Sequence, residues 1–255
     1  MSKVITVATN KGGPGKTSIA THLAWCGAEQ NLNSLLLDFD PQGNATQNFI
    51  NPLKLPKDGL NAVELFNEKV EKKPVVIEKN LSLIPADERL VAVERLDMKA
   101  AKKLKLEIQK LADTYDLIVI DTPPTLGFAM LAPMVASDYV VSPVIPDAYG
   151  VGGVRNVNNK VKDIRQSLNK KLQILSIIIN LFDRRNTAHI NTVKMLKERL
   201  GNIVVPIEIG RHSSISNTVF RQKPVWREPS SGSQREVGKI VKTAMLSILQ
   251  QAELI

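Results

Sequence analysis

The sequence predicts an α/β fold: a doubly wound, mostly parallel sheet with helices on both faces. Three observations support this prediction. Apolar runs of strand length are continuous rather than alternating, as in strands that are buried on both faces. Helical patterns separate these runs, which is typical of strands joined by crossover helices. A glycine-rich loop joins the first run to the first helical pattern.

The candidate elements follow one another along the chain. Six apolar runs are candidate strands, at residues 4–8, 34–39, 81–84, 117–120, 139–144 and 174–179. Five stretches with helical spacing are candidate helices, at residues 17–30, 98–113, 151–168, 188–200 and 234–252. The segment 206–232 is rich in Gly, Pro and Ser and is too long for a tight connection. We therefore expect it to be a functional loop.

Composition excludes several classes of protein. The chain has 255 residues, of which 43% are hydrophobic and 23% charged, so it is neither a disordered tail, a collagen nor a disulfide scaffold. Its single cysteine, Cys26, cannot form an internal disulfide or a multi-cysteine metal site. No apolar run approaches the roughly 20 residues of a membrane span, and the first residues lack a signal-peptide pattern. We expect a cytoplasmic protein.

Charge is spread unevenly over the two parts of the chain. The formal net charge is +9, yet residues 1–150 carry 16 Lys/Arg against 18 Asp/Glu. Residues 151–255 carry 18 Lys/Arg against 7 Asp/Glu, a balance of +11. Such an excess favours a C-terminal part that faces a polyanion. A basic surface that is merely solvated is the alternative.

The segment 11–17, K-G-G-P-G-K-T, lies between the first strand and the first helix. That context is the one that a phosphate-binding P-loop requires. Its glycines allow backbone N–H groups to point inward at an anion, and the helix N-terminus adds positive potential. We expect Lys16 to reach the β- and γ-phosphates and the Thr17 hydroxyl to bind Mg²⁺.

The loop departs from the ordinary P-loop pattern in two places. Asn10 stands where the strict pattern has its first glycine, and Lys11 follows as an additional cation. Together these residues make the deviant Walker A form, K-G-G-x-G-K-[ST]. Pro14 has no N–H to donate, so the anion nest loses one donor.

Carboxylates follow two of the predicted strands, as a Mg²⁺–nucleotide site requires. Asp38 lies near the end of the run 34–39, and Asp40 follows it and leads into the turn P-Q-G-N. Asp121 follows four apolar residues, which is the form of a Walker B aspartate that holds Mg²⁺. For Asp121 alone, capping of the next helix is the structural alternative.

These motifs together resemble the ParA family of partition ATPases, within the deviant-Walker-A group that also includes MinD. The resemblance rests on D-P-Q-G-N-A-T at 40–46, D-T-P-P at 121–124 and the loop at 11–17. It extends to L-I-P-A at 83–86, A-S-D at 136–138 and D-R-R-N-T at 183–187. It implies a P-loop NTPase fold of deviant Walker A type, with residues 1–255 forming one ATPase domain of the short form, without an N-terminal helix-turn-helix domain.

The resemblance also implies a role for each matched residue. Lys11 would reach the phosphates of the other subunit in an ATP-sandwich homodimer, and Asp40 would position or activate the attacking water. Asp38 and Asp121 would support Mg²⁺ with Thr17, and Asn180 would contact the base. The nucleotide-binding set is Lys11, Gly12, Gly13, Gly15, Lys16, Thr17, Ser18 and Asn180, and the catalytic set is Lys11, Lys16 and Asp40.

ParA proteins bind nonspecific DNA as ATP-bound dimers, and a ParB-like centromere-binding protein stimulates them. The resemblance therefore implies association with the nucleoid. Arg185 and Arg211 match basic positions of the family, whereas Ser214 stands where close relatives have a second DNA-contacting arginine. We expect the DNA-binding set to be Arg185, Arg211, Arg221, Lys223 and Arg227. For each, an exposed side chain without a DNA contact is the alternative.

Two other functions use the same ATPase. One is a ParA-like ATPase that positions a protein cargo instead of DNA. The other is a MinD-like ATPase that cycles on a membrane through its C-terminal helix. The last helical pattern, 234–252, has apolar residues at i, i+3 and i+4 but lacks the aromatic of a membrane-surface helix. We therefore expect this helix to pack against the sheet.

Overall fold

The computed structural model describes residues 2–255 and contains seven strands in one sheet. They are β1 (Lys3–Val7), β2 (Ser34–Asp38), β3 (Val75–Glu78), β4 (Leu81–Ile84), β5 (Leu117–Asp121), β6 (Tyr139–Val144) and β7 (Gln173–Ile179). The order across the sheet is β3-β4-β2-β5-β1-β6-β7. All neighbouring pairs are parallel except β3 and β4. The predicted mostly parallel sheet is confirmed.

Nine α-helices connect or flank the strands of the described chain. They are α1 (Lys16–Glu29), α2 (Asn44–Phe49), α3 (Met98–Leu111), α4 (Phe128–Ala136), α5 (Ala148–Ser167), α6 (Thr187–Leu200), α7 (Ser213–Ser216), α8 (Thr218–Arg221) and α9 (Gly232–Gln251). Short 3-10 turns occur at Pro52–Lys54, Ala62–Phe66, Glu88–Arg95 and Gly201–Ile203. All five helices predicted from the sequence are present.

Two cores lie on opposite faces of the sheet because side chains alternate along each strand. On β5, Ile118 and Ile120 belong to the core that contains α3, α4 and α5. Leu117 and Val119 belong to the core that contains α1 and α9. Each strand therefore needs apolar side chains on both faces, which explains the continuous apolar runs.

The last helix, α9, packs inward as expected. Its buried residues are Gly238, Val241, Ala244, Met245, Ile248 and Leu249, and they share a core with α1 and the sheet. No helix formed by residues 2–255 is long and apolar enough to cross a membrane.

The single cysteine lies inside α1. Cys26 is fully buried in the core between α1 and the sheet. Burial, aided by the nearby Glu29 carboxylate, raises the pKa of its thiol to about 12. The side chain therefore acts as a small apolar group, as is usual for a buried structural cysteine.

Candidate nucleotide-binding site

The carboxyl ends of three adjacent strands bring the predicted motifs together. The glycine-rich loop follows β1, while Asp38 and Asp121 are the last residues of β2 and β5. These two aspartates are paired in register across the sheet. Ligands of open α/β sheets bind at this edge, so the fold places the site where its class normally does.

The glycine-rich loop ends in a left-handed residue, Gly15, with φ 88°. The Asn180 side chain donates from Nδ2 to the Pro14 carbonyl at 2.8 Å, and a Cβ at position 15 would collide with that same Nδ2. Position 15 therefore favours glycine because of its left-handed conformation. The predicted partner Asn180 thus lies against the loop at the start of α1.

Lys16 is the buried cation of the loop. Its Nζ donates to the Lys11 carbonyl at 3.2 Å, and the residue is only 7% exposed. Burial lowers the pKa of its ammonium, while the nearby Asp121 and Asp40 carboxylates act in the opposite direction. A phosphate group in the loop would supply the negative charge that this buried ammonium needs.

Thr17 and Asp121 form the core of the predicted magnesium site. The Thr17 hydroxyl donates to Oδ2 of Asp121 at 2.7 Å. Asp121 is fully buried, and its Oδ1 has no hydrogen-bond partner within residues 2–255. Burial, and then repulsion from Asp38, raise the pKa of the Asp121 carboxyl well above its ordinary value. A divalent cation beside Oδ1 would give this oxygen a partner and would compensate the buried negative charge. These residues therefore fit Mg²⁺.

The metal would depend on the nucleotide for most of its ligands. Residues 2–255 contain no group of three or more His, Cys, Asp or Glu side chains that could hold a metal ion. Mg²⁺ is commonly bound by one or two protein groups together with substrate phosphates and water. The arrangement therefore fits a metal that arrives with its phosphates.

Asp38 supports the turn that follows β2. Its Oδ2 accepts from the backbone N and the hydroxyl of Thr46, both at 2.7 Å, and its Oδ1 accepts from the Asp40 backbone N at 3.2 Å. Burial, opposed by these bonds, raises the pKa of Asp38 to about 6. Both oxygens already have protein partners, so we expect Asp38 to support the magnesium site mainly through the turn and its charge.

Asp40 lies within that turn, close to the lysine of the loop. It is 7% exposed, and its Oδ1 accepts from the Gln42 backbone N at 3.0 Å. A carboxylate held at the rim of a phosphate loop has the chemistry needed to orient a water molecule.

Lys11 points away from this buried cluster. Its ammonium lies 4.1 Å from the centre of the Tyr149 ring, at the start of α5. The two lysines of the loop are therefore used differently: Lys16 lies among the carboxylates, whereas Lys11 lies at the outer rim. Tyr149 was not among the predicted site residues, because no motif contains it.

A cavity of about 690 Å³ opens beside the loop and extends the site. Gly13, Gly15, Ser18 and Asn180 line one side, which are four of the predicted nucleotide-binding residues. The segment 206–232 also lines the cavity, through Arg211, His212, Ser213, Ile215 and Ser216. The expected functional loop is thus partly helical and forms a wall of the candidate site.

Two of the five predicted DNA-binding residues border a second, larger cavity. Arg185 and Arg211 line a groove of about 1020 Å³ between the loop after β7 and α9. Arg184, His189 and His212 line the same groove and were not predicted. Arg185 is exposed, and its guanidinium makes a 3.5 Å ion pair with Asp183.

The other three predicted residues make bonds within the protein. Arg221 donates to the carbonyls of Arg227 and Glu228 at 2.7 and 2.6 Å. Lys223 pairs with Glu228 at 2.6 Å. Arg227 pairs with Glu29 at 2.9 Å and Glu78 at 2.8 Å, so its guanidinium joins α1, β3 and the segment before α9. We retain only Arg185 and Arg211 in the proposed DNA surface.

Comparisons with known proteins agree with this architecture. A family model described as AAA domain matches residues 2–174. Protein IncC of Escherichia coli is 30% identical over 243 residues, which cover 93% of this chain and 66% of IncC. The sporulation initiation inhibitor protein Soj of Bacillus subtilis is 30% identical over 234 residues, covering 88% of this chain and 90% of Soj. This chain thus spans slightly less than two thirds of IncC.

Solved structures share the fold. A plasmid partition protein from Borrelia burgdorferi bound to AMPPNP has a TM-score of 0.81 at 25% identity, covering 99% of this chain and 100% of that one. A protein from Mycobacterium smegmatis, described as cobyrinic acid a,c-diamide synthase with ADP and magnesium, has a TM-score of 0.73 at 28% identity, covering 91% and 97%. With its phosphate loop, its strand-end aspartates and these relatives, the chain belongs to the AAA domain family and, within it, to the ParA-type deviant-Walker-A ATPases.

Proposed function

We propose that this protein is a Mg²⁺-dependent ATPase that partitions DNA as an ATP-bound dimer. The observation that carries the proposal is the pairing of Thr17 with a buried Asp121 whose Oδ1 has no partner, next to the buried ammonium of Lys16. Such an unneutralised cluster costs stability unless a metal and a phosphate complete it. The nucleotide-bound Borrelia and Mycobacterium structures support ATP and Mg²⁺ as the ligands.

The proposed chemistry is transfer of the γ-phosphoryl group to water by positioning and charge. The backbone of the loop holds the phosphates, and Lys16 binds their β- and γ-oxygens. Thr17 and Asp121 would hold Mg²⁺, which would supply positive charge next to the phosphates. Asp40 orients the attacking water and accepts its proton.

Lys11 supplies a further positive charge from outside. Its ammonium lies at the rim of the loop and not among the carboxylates, which suits a residue that serves the other subunit of a dimer. In that position it would act as an arginine finger does in other phosphate-transferring proteins.

The DNA surface is proposed to be the groove bordered by Arg185 and Arg211. Arginine side chains bind backbone phosphates without sequence preference, and no base-reading module accompanies them in the described residues. The balance of +11 over residues 151–255 adds long-range attraction for a polyanion. A dimer would present two such grooves, so DNA binding would strengthen with ATP and would take the protein to the nucleoid.

The proposed partner is a ParB-like centromere-binding protein, in keeping with relatives such as the chromosome partitioning protein ParA of Caulobacter vibrioides, which is 29% identical. A cargo-positioning ATPase would use the same nucleotide site and DNA surface with a different partner. Pull-down with the products of neighbouring genes separates these two functions.

The decisive experiment measures the rate of ATP hydrolysis with and without nonspecific DNA and a candidate partner. We expect slow hydrolysis alone and faster hydrolysis with both. Lys16→Ala should abolish ATP binding, because the phosphates lose their principal cation. Tight ATP binding by a folded Lys16→Ala protein would contradict the assignment of the site.

A further inference from the structure

The contact between Lys11 and Tyr149 has no role in the chemistry described above. The ammonium lies 4.1 Å from the ring centre, within the range of a cation–π interaction. Tyr149 is 74% exposed, so packing does not explain why a large aromatic side chain stands there.

The start of α5 holds Tyr149 firmly beside the loop. The Asp147 carboxylate caps the helix by accepting from the Gly150 backbone N at 2.5 Å. Gly150 lies directly on the end of β6, where an added Cβ would collide with the Ile145 carbonyl. The backbone on both sides of Tyr149 is therefore fixed, and its ring faces the side chain of Lys11 and open solvent.

The charges around the two lysines of the loop differ. Lys16 lies near Asp121 and Asp40, which favour its charged form. Lys11 forms no ion pair with any Asp or Glu among residues 2–255. The face of the Tyr149 ring is thus its electrostatic partner, and a phosphate carries far more negative charge than a ring face.

We propose that Tyr149 is a positioning residue for Lys11. It holds the Lys11 ammonium at the rim of the monomer, away from the phosphates that the same subunit would bind, and releases it to the phosphates bound by a second copy. This inference rests on the proposed ATP-sandwich dimer. Because the contact is made in the monomer and lost in the dimer, it favours the monomer. Tyr149 therefore raises the threshold for ATP-dependent dimerisation and prevents Lys11 from acting on its own nucleotide.

Fluorine NMR tests the contact without nucleotide. The chain has three tyrosines, so 3-fluorotyrosine labelling gives three resonances, and loss of one in Tyr149→Phe assigns Tyr149. Lys11→Gln should shift that resonance. Lys3 lies 5.4 Å from the Tyr139 ring centre, and Lys3→Gln is the matched control that should leave the Tyr149 resonance in place. An unmoved Tyr149 resonance in Lys11→Gln overturns the proposal.

Sedimentation with ATP and Mg²⁺ tests the consequence. Tyr149→Leu should tighten the dimer by about four- to twenty-fivefold, since each dimer releases two lysines from contacts of about two- to fivefold each. Tyr149→Phe keeps the aromatic face and should behave as the wild type, and Tyr149→Leu should have no effect in a Lys11→Gln background. A dimer that is unchanged or weaker in Tyr149→Leu overturns the proposal. Absence of any ATP-dependent dimer in the wild type would instead refute the proposed function.

Discussion

Two buried carboxylates at the strand ends, Asp38 and Asp121, belong to the candidate nucleotide site and also affect the stability of the fold. Asp38 and Asp121 face each other in register, and both have raised pKa values because they are fully buried. A carboxyl group whose pKa rises on folding destabilises the fold progressively as the pH rises from the group's ordinary pKa through the raised one. These two residues therefore lower the stability of the nucleotide-free protein at neutral pH.

Asp121→Asn should stabilise the nucleotide-free protein by about 0.5–2 kcal/mol, because it removes a buried charge that repels Asp38. The same change should prevent Mg²⁺-dependent ATP binding. Thermal melting with and without ATP and Mg²⁺ measures both effects: the variant should melt higher alone and gain nothing from the ligands. A variant that melts lower than the wild type when free of nucleotide would contradict this account.

His22 also makes stability depend on pH, over nearly the same range as Asp38 but in the opposite direction. It is fully buried in α1, where its Nδ1 bonds the Ser18 carbonyl at 2.7 Å and its Nε2 accepts from the Val225 backbone N at 3.2 Å. Burial lowers its pKa to about 4 from an ordinary 6.5. The unfolded chain therefore binds more protons than the native protein between these two values, so stability falls as the pH falls through them.

Between pH 6.5 and pH 4, His22 should lower the free energy of unfolding by about 3 kcal/mol, at roughly 1.4 kcal/mol for each pKa unit. Urea unfolding at several pH values measures it, with His22→Gln as the comparison. The variant should be less stable at pH 7 but should lose less on acidification. Equal pH dependence in both proteins would exclude His22 as the cause.

Asp40 should affect hydrolysis and not ATP binding. It lies at the rim of the site and accepts one backbone bond from Gln42, so its removal leaves the loop and the Thr17–Asp121 pair intact. Asp40→Ala should bind ATP and dimerise normally but hydrolyse about 10²–10⁴-fold more slowly. Single-turnover hydrolysis at the wild-type rate would exclude Asp40 from the mechanism.

At the scale of elements, charged side chains join α1, α9 and the edge strand β3. Glu29 is the centre: it accepts from Arg227, from Lys242 at 2.8 Å and from the Trp226 indole at 3.0 Å. Burial alone would raise the pKa of Glu29, but these three donors together lower it. The network holds the end of the segment 206–232 against the helix that begins at the phosphate loop.

Arg227→Met tests that structural role. The change removes the ion pairs with Glu29 and Glu78, and we expect a loss of about 1–3 kcal/mol in the free energy of unfolding, measured in urea. Nonspecific DNA affinity should stay within twofold of the wild type. Unchanged stability with weakened DNA binding would return Arg227 to the DNA surface, as the sequence first suggested.

Strands and helices were predictable where hydrophobic residues follow one clear pattern along the sequence. The six continuous apolar runs are strands, since burial on both faces leaves no alternation. The antiparallel edge strand β3 was missed because Lys72, Lys73 and Lys79 surround four residues of which only Val75 is buried and Val76 is exposed. Helix α4 was missed because it is almost wholly buried and carries Pro133, so it shows neither a polar face nor a normal helical composition.

At the scale of the whole molecule, parts of the site that lie contiguously in the chain were predictable. The loop at 11–17 and Asp121 carry their chemistry in local motifs, and the parallel sheet brings them together. Tyr149 and His212 were not predictable as site residues, because each reaches the site only through the packing of a distant element. The internal bonding of Arg221 and Arg227 was hidden for the same reason: a sequence shows a charge but not its partner.

Under the proposed function each dimer presents two copies of the groove, so DNA binding would be a property of the dimer. Two arginines from each subunit, Arg185 and Arg211, predict a slope of log affinity against log salt of roughly −4. Arg185→Ala should flatten the slope by about 1.8, because two contacts are lost per dimer, and should weaken binding to all sequences alike without lowering basal ATP hydrolysis. Filter binding at several salt concentrations measures the slope.

Arg165→Ala is the matched control for this experiment. It removes the same charge from the last turn of α5, outside the groove. It should leave the slope unchanged. If both variants flatten the slope equally, general charge and not the groove accounts for the binding; a preference for one short DNA sequence would point to another use of the basic surface.

The buried thiol of Cys26 has a practical consequence for measuring the proposed dimerisation. Thiol-directed dyes react with thiolate, and a thiol with a pKa of about 12 inside the core has almost none at neutral pH. Maleimide dyes should therefore leave the native chain unlabelled. Ser167→Cys would introduce a thiol at an exposed position, and this thiol would carry the sole dye on each subunit. Energy transfer between donor- and acceptor-labelled copies would then report the association of two subunits in real time.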